Sequence, residues 1–129
     1  YLKDIDFDLT QVKAIIDTYA SSPTEESCMI CVYHENEVIG IIAGDITFMS
    51  RFCQVVPIAS ESLWWVREDH RGKAPTASMF QIFERWATLA GARSITVSNQ
   101  TNQYEDMLDR YYTKSGYRKV ESCYAKRIA

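Results

Sequence analysis

Residues 66–77 read V-R-E-D-H-R-G-K-A-P-T-A and combine groups that can hold an anion. An apolar run ends at Val66, the basic turn Arg71-Gly72-Lys73 follows, and helical periodicity begins at Pro75. A turn of this kind between a strand and a helix presents unpaired backbone N–H groups, and the helix dipole adds about half a positive charge. The segment therefore predicts a site for a phosphate or pyrophosphate, which belongs to a phosphorylated cofactor or substrate. The alternative is an ordinary turn without a binding role, in which the arginine and lysine are solvated.

The composition is that of a globular protein of one domain, residues 1–129. Hydrophobic residues make up 47% of the chain and charged residues 24%, which is ordinary for such a domain. The net charge of −3 argues against nucleic acid as the main partner, because binding to a phosphate backbone needs a basic surface. No apolar run approaches the roughly 20 residues of a membrane helix, and no signal-like segment opens the chain. We expect a cytoplasmic protein that does not bind membranes.

The four cysteines are expected to be free thiols in a reducing compartment. Cys28 and Cys31 form a C-x-x-C pair, but they lie in an apolar segment that is typical of a strand, where a spacing of three places side chains on opposite faces. Cys53 and Cys123 stand alone and complete no zinc site. We therefore expect no metal.

Hydrophobic periodicity and turn residues predict an α/β fold with a mixed β-sheet flanked by helices. The β-α-β unit from Ser60 to Ser98 is expected to be a right-handed parallel crossover, with its ligand crevice at the carboxyl end of the first strand. Gly40 and Gly44 lie within a predicted strand and indicate a bulge or close packing. The predicted order is α-β-β-β-α-β-α-β-β, with helices at 9–21, 75–91 and 102–115 and strands at 28–34, 38–49, 60–66, 93–98, 117–121 and 123–128. Gly91 and Gly116 are predicted to end the second and third helices, Gly91 in the left-handed conformation.

Two stretches make the chain resemble the GNAT-type N-acyltransferase superfamily, whose cofactor is acetyl-CoA. The first is V-R-E-D-H-R-G-K-A-P-T-A with the following F-E-R-W-A-T-L-A-G-A-R-S-I, and the second is Y-Y-T-K-S-G-Y. The resemblance covers roughly residues 28–128, and its most specific parts are 63–98 and 111–117. The chain departs from the family where Ala74 and Thr76 replace the usual glycines and where Pro75 removes one N–H donor.

The resemblance implies which residues bind CoA. The backbone groups of Trp65 and Val66 would pair with the pantetheine amides, although the tryptophans can equally be core residues. Asn99 and Asn102 follow the next strand and can touch the same arm, but Asn102 is more simply a helix cap. The CoA pyrophosphate would be held, mainly through backbone N–H groups, by Arg71, Gly72, Lys73, Ala74, Thr76 and Ala77.

The resemblance also implies that Tyr112 has a chemical role. A tyrosine four residues before a Gly-aromatic step donates a proton to the departing thiolate in this family, and Tyr112 precedes Gly116 and Tyr117 at that spacing. A phenol is a suitable donor. Tyr111 is the alternative, and both can be packing aromatics. No carboxylate or histidine stands out as the general base, and the face that Glu61 takes on its strand is undetermined.

The resemblance thus predicts an acetyl-CoA-dependent N-acetyltransferase that acts by direct attack of a primary amine, carried by a small molecule or a peptide. The alternative is a catalytically inactive GNAT-like domain that binds CoA or acts through protein contacts. A third interpretation is a phosphate-binding domain of different chemistry. Edge strands and exposed aromatic residues permit a homodimer.

Overall fold

The computed structural model describes residues 26–49, 55–74, 76–99 and 104–124, together with residues 126 and 128. The predicted helix at 9–21, Cys53, Pro75 and Asn102 lie outside the described residues. The described residues fall into two compact units, 26–97 and 98–128. A single domain over 1–129 stays a prediction. No helix in these described ranges is long and apolar enough to cross a membrane.

The first unit is built on a mixed four-stranded sheet in the order β1-β2-β3-β4, which confirms the predicted fold class. The strands are β1 (Ser27–His34), β2 (Glu37–Met49), β3 (Val56–Val66) and β4 (Ser94–Thr96). The first three pair in antiparallel fashion and β4 pairs with β3 in parallel. The hairpin turn between β1 and β2 consists of Glu35 and Asn36, both with positive φ, as a tight two-residue turn requires.

Strand β3 begins earlier than the sequence predicted. Residues 50–59 were expected to be an irregular connection because they contain Pro57, but Pro57 pairs with Phe48 inside the sheet. Proline is tolerated near the start of a strand because the missing N–H group costs little there. The carbonyl of Pro57 accepts a hydrogen bond from Arg93 N at 2.8 Å. The error therefore comes from a local rule that does not hold at a strand end.

Helix α1 (Met79–Leu89) covers one face of the sheet. A short 3₁₀ turn at Thr76–Ser78 precedes it, and Gly91 follows it with φ +82°, as predicted for the left-handed stop. Its apolar stripe, Met79, Phe80, Phe83 and Ala87, is fully buried. Trp64 stacks on Phe80 with ring centroids 4.9 Å apart.

The second unit contains helix α2 (Glu105–Lys114), which ends before Gly116 with φ +89°. The prediction of two strands at 117–121 and 123–128 is wrong for the described residues. These residues form neither helix nor strand. Val120, Tyr124 and Ile128 are 75–95% exposed. Alternating apolar residues suggested strands, but a strand also needs a face on which to bury them.

Candidate functional site

Strand β4 pairs with β3 over all three of its residues and ends at Thr96, while β3 continues; we refer to this point as the place where β3 and β4 part. The pairs are Ile58 with Ser94, Ala59 with Ile95 and Ser60 with Thr96. Beyond Ser60, β3 continues to Val66, which adds roughly 20 Å of strand whose outer edge has no β4 partner. This open edge runs directly towards the loop that joins β3 to α1.

The backbone groups of Trp64 and Val66 face the open edge. Arg67 N donates to Ile39 O at 2.8 Å, which makes Gly40 and Val66 a pair whose own N–H and C=O groups point away from each other. The groups of Trp65 therefore point towards β2. The sequence analysis named Trp65 and Val66 for contacts with an extended ligand. The alternation of backbone groups along β3 instead directs those of Trp64 and Val66 to the open edge.

In the described part of the loop 67–77, five backbone N–H groups donate to no backbone carbonyl, those of Glu68 and Asp69 in the first turn and those of Gly72, Ala74 and Thr76 nearer the helix. The N–H groups of residues 70, 71, 73 and 77 donate to the carbonyls of residues 67, 68, 70 and 73, at 2.9–3.3 Å. Among the described residues, the N–H groups of Gly72, Ala74 and Thr76 have no such partner. Of the six residues predicted to hold a pyrophosphate, these three present free amides, whereas that of Ala77 is already used by the chain.

The backbone conformation of the loop suits its residues. Gly72 has φ +70°, which only glycine adopts without cost. No other described residue between 67 and 77 has a positive φ. Ala74 and Thr76, which replace glycines common in the family, therefore fit without backbone strain.

The buried hydroxyl of Thr76 closes the loop. Its Oγ1 lies 2.7 Å from Lys73 O and within hydrogen-bonding distance of His70 O. Only 4% of Thr76 is exposed. Its Cγ2 also lies 3.4 Å from the place where a Cβ atom on Gly40 would be, and Met79 lies closer still to that place. The absence of a side chain at Gly40 therefore lets the loop and the start of α1 rest on the sheet.

The charged side chains around the loop balance in number, with Arg67, Arg71 and Lys73 against Glu37, Glu68 and Asp69. Arg67 bonds Asp69 through Nε at 2.8 Å and Glu37 through a terminal nitrogen at 2.9 Å. The hydrogen bond from Arg67 holds the pKa of Asp69 below its usual range. Arg71 Nε donates to Val66 O at 3.0 Å and Lys73 Nζ donates to Asp69 O at 3.0 Å. Both cations are bonded to carbonyl oxygens, so their charges remain available to an anion.

A cluster of hydroxyl groups lies where β3 and β4 part. Ser60 Oγ is 3.2 Å from Thr47 Oγ1 and accepts a hydrogen bond from Thr96 Oγ1 at 3.1 Å. Nearby, Ser62 Oγ donates to Asp45 Oδ2 at 3.2 Å. We call these five residues the hydroxyl cluster. Sequence reasoning missed Asp45, because its partner is 17 residues away and the pairing depends on a bulge.

That bulge lies in β3 opposite the junction of Ala43 and Gly44. Ala43 pairs with Leu63 and Gly44 with Glu61, so Ser62 is the extra residue. A bulge redirects side chains and bends a strand. The sequence had indicated a bulge or close packing at Gly40 and Gly44, and the structure confirms both features.

Among the described cysteines, Cys28 is the one whose thiol the charge of Asp45 affects. Burial, and secondly the charge of Asp45, raise the pKa of Cys28 to about 11. Burial also raises the pKa of Cys31. Both are free thiols, as is Cys123. A raised pKa disfavours the thiolate, which is the nucleophilic form of cysteine.

The fold matches solved structures of acetyltransferases. The aminoglycoside acetyltransferase AAC(6')-Iy, solved with a bisubstrate analogue of CoA and acetylneamine, aligns with a TM-score of 0.72 and 14% identity, over 99% of this chain and 84% of its own. Glucosamine-6-phosphate N-acetyltransferase from Arabidopsis thaliana aligns with a TM-score of 0.71 and 10% identity, over 96% and 81%. A transcriptional regulator from Bacillus halodurans aligns with a TM-score of 0.73 and 13% identity, over 95% and 77%. No protein-family profile and no curated protein matches the chain.

The chain has the GNAT-type fold. At identities of 10–14% the likeness establishes the architecture, while the chemistry depends on this chain's own residues. The predicted resemblance to GNAT-type proteins is confirmed at the level of the fold.

The segment Y-Y-T-K-S-G-Y, which was predicted to carry the catalytic tyrosine, lies in the second unit at the end of α2. Tyr112 is buried, with 8% exposure, while Tyr111 is half-buried. The centroid of the Tyr112 ring lies 5.9 Å from that of Tyr111 and 5.8 Å from that of Tyr117. Its hydroxyl lies 3.4 Å from Ser98 O, which is a long and weak hydrogen bond. Tyr112 is thus the more enclosed of the two candidate phenols.

The side chain of Asn99 is hydrogen-bonded to two residues of helix α2. Its Nδ2 donates to Glu105 O and to Asp109 Oδ1, each at 3.0 Å. The sequence had suggested that Asn99 touches a pantetheine arm, but its amide nitrogen is used within the protein. The residue that precedes α2 is Tyr104.

Proposed function

We propose that the protein is an N-acetyltransferase that transfers the acetyl group of acetyl-CoA to a primary amine by direct attack. One observation carries the proposal: the open edge of β3 runs into a loop with three unengaged amides near the helix, at Gly72, Ala74 and Thr76. A free strand edge can pair with the amides of an extended pantetheine arm, and backbone amides at a helix start bind phosphate. In CoA the pantetheine arm is joined to the diphosphate, just as the open edge of β3 leads into the loop.

The loop and the open edge would share the binding of CoA. The amides of Gly72, Ala74 and Thr76 would contact the diphosphate, and Arg71 and Lys73 would add positive charge. The backbone of Trp64 and the N–H group of Val66 would pair with the pantetheine arm, since the carbonyl of Val66 already accepts a bond from Arg71. Trp65, which is 42% exposed, would cover the arm from the side. When bound, acetyl-CoA supplies the activated acyl group.

The chain would contribute a proton to the leaving group. Expulsion of the CoA thiolate is assisted by a nearby acid, and we assign that role to Tyr112. Its support is the motif spacing, the burial of the ring and the weakness of its bond to Ser98. Direct transfer needs no acyl-enzyme, which agrees with the raised pKa of Cys28.

Calorimetry and thiol release test the proposal together. Titration with CoA and acetyl-CoA should give saturable heat, while 3′-phosphoadenosine without the diphosphate should bind more weakly. Acetyl-CoA should then release thiol in the presence of at least one amine from a panel containing an aminoglycoside, glucosamine 6-phosphate, spermidine and a short peptide with a free N-terminus. No heat with any CoA species would overturn the proposal.

A second candidate is a CoA-binding regulatory domain without turnover. The observation that favours it is the likeness to a transcriptional regulator from Bacillus halodurans, at a TM-score of 0.73. The two candidates predict the same heat with CoA. They differ in thiol release, because a regulatory domain would release none with any amine of the panel.

A further inference from the structure

The two faces of the sheet differ at the point where β3 and β4 part. On one face α1 covers the sheet, since Phe83 lies 2.8 Å from where a Cβ atom on Gly44 would be. Asp45 follows Gly44, and successive side chains on a strand point to opposite faces. Asp45 therefore lies on the face away from α1. A second substrate that reaches this point has to approach from that face.

The face away from α1 is polar and accessible. Thr47 and Ser62 are exposed there, and Asp45, Ser60 and Thr96 are half-buried. Asp45 pairs with Ser60 across the sheet, and Ser60 pairs with Thr96. The carboxylate thus stands about one strand spacing, roughly 5 Å, from β3, beside the place where the open edge begins.

Other carboxylates near the open edge are less suited to receive a cation there. Glu61 pairs with Gly44 and therefore lies on the face that α1 covers. Glu37 and Asp69 are paired with Arg67 at the opposite end of the open edge. Glu68 is exposed in the loop. Asp45, in contrast, has a hydroxyl donor, Ser62, which fixes the orientation of the carboxylate.

The length of the open edge places Asp45 near the reacting end of a bound thioester. From the loop amides, the edge extends over residues 66 to 60, roughly 20 Å, which is comparable with an extended pantetheine arm. A ligand with its diphosphate at Gly72 and its arm along Trp64 and Val66 would bring its thioester to the hydroxyl cluster.

We propose that Asp45 forms the ammonium-binding subsite of the acceptor and takes the proton that the amine must lose before attack. This inference rests on the proposed transferase function. The ammonium gives one proton to the carboxylate, and the neutral nitrogen forms a C–N bond to the acetyl carbonyl carbon. The C–S bond breaks, CoA leaves as a thiolate that receives a proton, and the second proton of the amine nitrogen returns to solvent, which leaves an amide. Ser62 is a positioning residue that orients Asp45.

The test uses Asp45→Asn in the full chain, because asparagine keeps an oxygen to accept the bond from Ser62. With the panel amine that wild type acetylates fastest, kcat should fall about 10²-fold. The affinity of that amine for the CoA-saturated protein, measured by calorimetry, should fall at least tenfold, while the affinity for CoA alone stays unchanged. Asp106→Asn, which changes an exposed carboxylate in the first turn of α2, is the matched control and should behave as wild type.

The outcomes separate this inference from the proposed function. An active wild type with an equally active, equally amine-binding Asp45→Asn would overturn the role of Asp45 and leave the transferase function standing. A wild type that binds CoA but releases no thiol with any amine would overturn both. If Asp45→Asn does not fold, Ser62→Ala replaces it: a smaller fall in kcat with unchanged CoA affinity is expected, and no fall would contradict the inference.

Discussion

Met79 Sδ lies 2.6 Å from the position that a Cβ atom on Gly40 would occupy, so α1 rests directly on the backbone of β2. Gly44 has a still more confined position, between Ser60 O and the ring of Phe83. Because Thr76 also lies over Gly40, this close approach determines where the loop is held. Two glycines of β2 thus fix the distance between the sheet and the anion-binding end of the helix.

Alanine at these two glycines should destabilise the protein to different extents. Gly40→Ala requires Met79 to move, and its flexible side chain can do so in part. Gly44→Ala meets a backbone carbonyl and a buried ring, so we expect it to lower the free energy of unfolding by about 1–3 kcal/mol more than Gly40→Ala does. Urea denaturation of the two variants measures the difference. Equal losses would mean that α1 is not held as closely as described.

A negative charge in the loop should abolish CoA binding. Ala74 is exposed and presents its amide without a partner among the described residues. In Ala74→Glu the carboxylate would repel the diphosphate and occupy its place, so calorimetry with CoA should give no saturable heat. Leu89→Glu adds the same charge at the exposed far end of α1, where the residue is 80% exposed, and should bind CoA normally. Retained binding in Ala74→Glu would show that the diphosphate lies elsewhere.

Loss of the Thr76 hydroxyl should loosen the loop. Thr76→Val keeps the shape of the side chain but removes the buried hydroxyl donor shared by His70 O and Lys73 O, each of which keeps one backbone donor, so the free energy of unfolding should fall by about 0.5–1.5 kcal/mol. CoA affinity should fall as well, while Thr76→Ser should restore both quantities. Thr113→Val removes a comparable hydroxyl bond, to Asp109 O, at an exposed site and serves as the control. A stable Thr76→Val with normal affinity would contradict this role.

Removal of the Tyr112 hydroxyl should affect the rate and not CoA binding. Tyr112→Phe retains the buried ring, and the bond from its hydroxyl to Ser98 O is long, so stability should change little. If the phenol protonates the thiolate, kcat should fall by about 10²-fold or more, with unchanged CoA affinity. Tyr111→Phe is the matched control. A fall in Tyr111→Phe alone would transfer the role to that residue.

The reactivity of Cys28 should depend on pH in a way that reports on Asp45. Its pKa of about 11 lies above the usual value of 9.0 for a cysteine thiol, so the folded chain holds the proton more tightly than the unfolded chain. The contribution to the free energy of unfolding is therefore complete below about pH 9 and is lost as the pH rises towards about 11. Alkylation by iodoacetamide at pH 8, followed by mass spectrometry, should modify the exposed Cys123 well before Cys28.

The variant Asp45→Asn extends this measurement. Without the carboxylate the pKa of Cys28 should fall, but only in part, because burial is the larger cause of the shift. Alkylation of Cys28 should then become faster between pH 9 and 10, while that of Cys123 stays the same. An unchanged rate at Cys28 would mean that the charge of Asp45 does not act on the thiol.

The sequence predicted the features that depend on local chemistry. The stops at Gly91 and Gly116 follow from left-handed backbone at helix ends, and both glycines have positive φ. The free amides at Gly72, Ala74 and Thr76 lie inside the predicted loop. These features depend on neighbouring residues, so a local pattern is sufficient to find them.

Features that depend on distant pairings escaped prediction. The phase of β3, which turns Trp64 and not Trp65 towards the open edge, depends on a bond between Arg67 and Ile39. The place of Asp45 beside Ser62 depends on a bulge and on the register of two strands. A one-residue change of register would reverse these assignments, and nothing in the local sequence fixes that register.

The loop that Thr76 closes is ordered by its own hydrogen bonds without a ligand, since four of its amides donate to loop carbonyls. The remaining amides are therefore aimed in advance, and little chain entropy is lost when a phosphorylated ligand docks. For a rigid receptor of this kind, related ligands should differ mainly in how long they stay bound, and much less in how fast they arrive.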